Sequence, residues 1–154
     1  MRYTARLLPV CLLLTACMPL HAAGGIDKSI ILDDQAISQL EQRAEQANPR
    51  EQCFLYTELV SAMTEAAGKQ LNDGDLDRAS ATLKKISKYA ELIHMNLARD
   101  TKRLKNAEML MHRTTYRLTE YLHHASTEDK PTLQATLKQL SQVQSEILTQ
   151  VFNH

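Results

Sequence analysis

Two Glu-x-x-His pairs, Glu91 with His94 and Glu120 with His123, are the residues whose types and spacing come nearest to chemistry. On a helix that spacing sets a carboxylate and an imidazole on one face, where they can share a divalent metal. Glu108 and His112 add a second carboxylate and imidazole, so that Glu91, His94, Glu108 and His112 form the candidate metal set. Nothing catalytic accompanies them. The chain has no glycine-rich phosphate loop, no Cys-x-x-Cys and no serine in a nucleophile-elbow setting, and the expectation is a protein that is not an enzyme and carries no cofactor.

Whether the pairs meet depends on the elements that carry them. The absence of Trp, the four Gly and the abundance of Ala, Leu, Gln, Glu and Lys predict an all-α fold. A first helix is expected from Gln35 to Ala47 behind Asp33 or Asp34. "NPRE" then restarts the chain, with Asn48 as cap, Pro49 at the first helical position and Glu51 completing a capping box. The second helix should end near Leu71 at "NDGD", where Gly74 supplies a left-handed turn and Asp75 the next cap. From there every seventh residue is apolar: Leu76, Leu83, Ala90, Leu97, Leu104, Met111, Leu118 and Ala125. With no Gly or Pro inside, that row predicts one long helix over 76–125, about 75 Å at 1.5 Å per residue. A last helix follows Pro131, with a stripe of Leu133, Leu137, Leu140, Val143, Ile147 and Val151. The architecture expected is two antiparallel helical hairpins sharing the long central helix. The alternative is an up-down four-helix bundle broken near Asp100, which interrupts the companion apolar row.

The Glu-x-x-His spacing resembles that of ferritin-like di-metal carboxylate bundles, which implies a metal held between facing helices. In the long helix the two pairs would lie about 43 Å apart, and in the bundle still about 18 Å out of level. Only Glu91, His94, Glu108 and His112 come to similar heights in the bundle, on the edges of the apolar seam, where solvated surface is the expected role. The turn "NDGDLDRA" resembles a fragment of a tetratricopeptide repeat. The flanking helices are too long for that repeat, and no internal repetition is visible in the sequence.

The N-terminus has the layout of a bacterial export signal: Arg2 and Arg6, an apolar stretch from Leu7 to Leu14, then small residues. Cleavage after Ala22 predicts a signal at 1–22 and a free periplasmic or secreted protein. Leu14-Thr15-Ala16-Cys17 resembles a lipoprotein lipobox, which implies a signal at 1–16 and lipidation at Cys17, leaving the protein anchored to a membrane. Both readings leave a flexible segment at 23–33 and one helical domain at 34–152. The apolar stretch is far short of the ~20 residues that span a bilayer. Either processing route leaves Cys53 without an intramolecular partner, either as a buried thiol or as an intermolecular disulfide.

Charge is uneven along the chain. Asp27 to Asp77 holds 11 acidic and four basic residues, and Arg78 to Arg117 ten basic and three acidic, so antiparallel packing sets opposite charges together. Arg99, Lys102, Arg103 and Lys105 form a candidate patch for an anionic partner, a lipid headgroup or an acidic protein. The even overall balance argues against nucleic acid. Met95, Met109 and Met111 make a soft apolar group, and Tyr56, Tyr89, Tyr116 and Tyr121 recur at helical spacing. The functional expectation is an exported helical surface for binding another protein, or a second copy. The alternatives are a metal- or small-ligand-binding bundle and a peripheral binder of anionic membrane.

Overall fold

The computed structural model describes residues 28–97 and 101–153, with side chains from Asp34 onward. Its described residues form five helices: α1 (Lys28–Gln46), α2 (Pro49–Asn72), α3 (Leu76–Leu97), α4 (Leu104–His124) and α5 (Lys130–Asn153). Local signals set most of the ends. Asn48 Oδ1 accepts the Arg50 N–H at 3.0 Å with Pro49 opening α2. Gly74 takes φ +76° in the turn to α3, and Asp75 Oδ1 accepts the Arg78 N–H. Before α5, Ser126 Oγ donates to Asp129 while the Asp129 N–H donates back. The α1 start is a correction: the helix begins at Lys28, so Asp33 and Asp34 lie within it and do not precede it as caps.

The long helix expected over 76–125 is a second correction, since α3 ends at Leu97 and α4 begins at Leu104. Arg103, the residue before α4, takes a left-handed backbone with φ 62°. The Thr101 hydroxyl donates to the Asn96 carbonyl at the end of α3, and Lys102 N–H donates to Arg50 O at 2.8 Å. Burial gives the physical reason. A straight rod would offer one half of its apolar row to α2 and the other to α5, whereas folding back lets α2 and α5 each pack on both halves. The row stays buried through the break, with Leu83, Ala90, Leu97, Leu104, Met111 and Leu118 all in the core. Leu76 is the exception, at 40% exposed.

The result is an up-down four-helix bundle with an unexpected order around its axis. α2 packs on α3 and α4, and α5 packs on α3 and α4, so α3 and α4 stand diagonally opposite although consecutive in sequence. Parallel neighbours share one register: Glu65–Arg117 across α2 and α4, and Ser87–Gln139 and His94–Glu146 across α3 and α5, are each separated by 52 residues. The α2–α3 hairpin is thus laid beside the α4–α5 hairpin. α1 covers the far side of the first, through Arg43–Glu58 on α2 and Asp34–Arg78 and Glu41–Tyr89 on α3.

This places α2 at the centre, and its burial runs almost all round, from Cys53 to Gly68. Buried threonines 57, 64, 114 and 136 each donate to the carbonyl four residues back, so they cost the core no unpaired hydroxyl. The charge asymmetry is largely answered internally: Asp34–Arg78, Glu41–Lys85 and Glu65–Arg117 each pair the acidic first stretch with the basic second.

Candidate functional site

The most organised polar cluster sits on the seam between the parallel helices α2 and α4. Arg117 Nε and a terminal nitrogen donate to both oxygens of Glu65 at 3.1 and 3.2 Å, and the Tyr121 hydroxyl donates to the same carboxylate at 2.9 Å. The bond from Arg117 holds the Glu65 carboxyl below its ordinary range, with Tyr121 adding to it. Burial, then the hydrogen bond to Glu65 and the charge of that carboxylate, pushes the Tyr121 phenol up. Gly68 makes this arrangement possible. A Cβ there would strike the Tyr121 ring, so the ring lies on bare helix backbone.

Two clefts open along this seam. One, of about 630 Å³, reaches the end of the bundle where the hairpin turns lie and is lined by Lys69, Asn72, Arg117, Tyr121, His124 and Asp129 among others. The other, of about 480 Å³, runs between Ser61 and Glu65 of α2 and Leu110, Arg113, Tyr116 and Arg117 of α4. Beside it, the outward stripe of α4 carries Met109 and Tyr116, 58% and 61% exposed, with exposed Arg113 between them.

The candidate metal residues are brought level but kept apart. His94 Nδ1 lies 2.6 Å from Glu146, and His112 Nδ1 lies 3.1 Å from Gln144 Nε2, so the two histidines sit within a turn of each other along α5. They approach α5 from opposite flanks, because α3 and α4 are diagonal. No group of three His, Cys, Asp or Glu among the described residues is placed to hold a metal, Glu91, Glu108, Glu120 and His123 included. The bond to Glu146 raises the His94 pKa, and the charges of Glu146 and Glu91 raise it further.

Of the candidate anionic patch, Lys102, Arg103 and Lys105 are exposed at the start of α4, while Arg99 lies outside the described residues. The Arg103 guanidinium stacks 3.6 Å from the centre of the Phe54 ring, which fixes its direction. Cys53 is wholly buried and its thiol is pushed up to about 12 by that burial, the surroundings of an inert core thiol. A bridge to a second chain would require α2 to open. Cys17 and the export segment at 1–22 lie outside the described residues. No described helix is long and apolar enough to cross a membrane.

The tyrosines and methionines divide. Tyr56 and Tyr89 stack in the core at 5.7 Å, and Met111 is buried, whereas Tyr116, Met95 and Met109 face solvent. The sequence reading missed the Glu65–Arg117–Tyr121 cluster, whose members are 52 and 56 residues apart. It also missed Leu148 and Phe152, 40% and 81% exposed. Each falls one residue past Ile147 or Val151 of the buried stripe, and that offset is the signal that could have found them.

Comparison of the chain with protein families, with curated proteins and with solved structures finds no match.

Proposed function

We propose that this is an exported, non-enzymatic helical protein that binds another protein through the outer face of α4 and its groove with α2. The observation that carries this is the exposure of Met109 and Tyr116, 58% and 61%, beside an open groove of about 480 Å³. Scattered apolar residues on a surface are ordinary, but two large ones on one helical stripe at the lip of a groove form the anchor pattern of a helix-docking surface. The chain contains its own example of such docking. On the opposite side of α2, α1 lies along the bundle with Ile37, Leu40 and Ala44 inward and ion pairs at its margins. Arg113, exposed between Met109 and Tyr116, favours a partner helix that carries a carboxylate next to its apolar stripe.

Export rests on the N-terminal pattern described above, and the intact mass of the processed chain tests it. A chain beginning near Ala23, or a lipidated one beginning at Cys17, supports export; an unprocessed cytoplasmic chain overturns it. For the surface, a photocrosslinking residue in place of Tyr116 is compared in cells with one in place of Lys84, which is exposed on α3. A discrete adduct from position 116 alone, weakened by Arg113→Glu, is expected. Equal labelling from both positions, or none from 116, overturns the assignment of α4.

A further inference from the structure

The two ends of the bundle differ in charge and in shape. Both hairpin turns lie at one end, where the end of α2, the first turns of α3 and the α4–α5 turn line a crevice of about 300 Å³. Leu71, Leu76 and Leu83 supply its apolar part, Ser80 and Thr132 are polar, and Asp77, Glu128 and Asp129 rim it. Leu76, the one exposed member of the buried row, is the apolar residue offered there. Asp73 and Asp75 add further carboxylates, while Arg78 is engaged with Asp34 and Asp75. Lys69 in the last turn of α2 and Lys130 at the start of α5 are exposed cations at this end, outnumbered by the carboxylates. Capping accounts for Asp75 and Asp129, which bond the residues that open α3 and close the turn before α5. Asp73 closes α2 through its backbone N–H, which bonds Lys69 O, so capping leaves the side chains of Asp73 and Glu128 unexplained.

At the opposite end the signs reverse. The Lys102 N–H to Arg50 O bond brings the starts of α2 and α4 together, and Arg50, Lys102, Arg103 and Lys105 are all exposed there, with Glu45 and Glu51 as nearby acids. α5 runs antiparallel to α4, so its last turn reaches this same end with Phe152 on it. Phe152, at 81%, is the most exposed large apolar side chain among the described residues. One end therefore presents an aromatic knob among cations, and the other a crevice of mixed lining that offers Leu76 among carboxylates.

From this complementarity we infer that the protein associates head to tail with further copies of itself, Phe152 of one copy entering the crevice beside Leu76 of the next. A buried phenyl ring removes roughly 150 to 200 Å² from water and supplies the attraction. The carboxylate rim against Lys102 and Lys105 sets the direction and rejects head-to-head encounters, in which like charges meet. Because the two surfaces differ and lie on opposite ends, the contact is heterologous and does not close at two. Each added copy lengthens the particle by about 36 Å, the span of a 24-residue helix. This surface is separate from the α4 groove, so either reading can fail without the other.

Sedimentation velocity on the protein in its natural processed form tests the inference, with circular dichroism to confirm that each exposed-residue variant keeps its helices. The expected result is a series of species that grows with concentration. Raising the salt from about 0.1 to 1 M, which shortens the screening length from about 10 to 3 Å, should shrink it. Phe152→Ser alone, or Asp77→Lys with Glu128→Lys, should each weaken association at least about tenfold. The mixture decides: a chain lacking the knob keeps its crevice, and a chain lacking the rim keeps its knob. Mixed, the two should form a pair that stops at two copies. A monomer at all concentrations overturns the inference, as does a dimer indifferent to Phe152→Ser. A monomer that binds vesicles containing phosphatidylglycerol, and loses that binding in Phe152→Ser but not in the rim variant, also overturns it and assigns the basic end to anionic membrane.

Discussion

Gly68 shows how much one side chain can decide. In an exposed helix interior, Gly→Ala gains up to about 1 kcal/mol of stability. At Gly68 the added methyl meets the Tyr121 ring, which is tied through its hydroxyl to Glu65 and so to Arg117. Gly68→Ala is therefore expected to destabilise by about 1 to 3 kcal/mol, the range for overpacking. In a Tyr121→Ala background the same change should become neutral or stabilising. Urea unfolding of the four proteins measures the coupling, and a Gly68→Ala effect that is identical with and without the ring would show that the ring is not the cause. The sequence offered no hint of this pair, since a glycine mid-helix reads locally as a weak point.

Between elements, a shared apolar core carries the packing and polar links join the helix edges, among them His94 on Glu146, which joins α3 to α5. The imidazole is fully exposed, so its contribution is small, but its direction is defined. The hydrogen bond that His94 Nδ1 donates to Glu146 raises the folded-state pKa above the ordinary value near 6.5, with Glu146 and Glu91 adding through their charges. A group of that kind stabilises the fold fully below the unfolded pKa, and the contribution disappears as pH rises through the folded value. Stability should therefore decline slightly from pH 6 into the alkaline side of neutrality, and His94→Gln should flatten that slope. Unfolding midpoints measured at several pH values check it; an unchanged slope in the variant would remove His94 as the source. That this histidine answers to a glutamate on α5 could not be read from Glu91-x-x-His94, because the local spacing names only the partner on its own helix.

At the scale of the molecule, stability is shared between the hairpins through α2, whose buried residues run around its circumference. A fragment carrying α1 to α3 leaves without cover the side of α2 that packs on α4, and the side of α3 that packs on α5. Residues 1–100 alone are therefore expected to show low helicity and no cooperative melting, and addition of 101–154 should restore both. Circular dichroism with thermal unfolding measures this; a fragment that melts cooperatively by itself would mean that the first hairpin and α1 suffice as a core.

The sequence by itself determined the all-α class, the cap at Asn48, the turn at Gly74, most helix boundaries and the buried stripe of α5. These are local: a cap or a stripe is encoded within a turn or two of its own residues. The tertiary structure alone decided that the chain reverses between Leu97 and Leu104. A seven-residue step joins those two leucines whether the helix continues or restarts in phase, and both are buried, so periodicity cannot tell the cases apart. It also decided the diagonal placement of α3 and α4, and with it the separation of His94 from His112 on opposite flanks of α5. That placement follows from competition among whole helix faces for burial, a quantity that belongs to no single stretch of the chain.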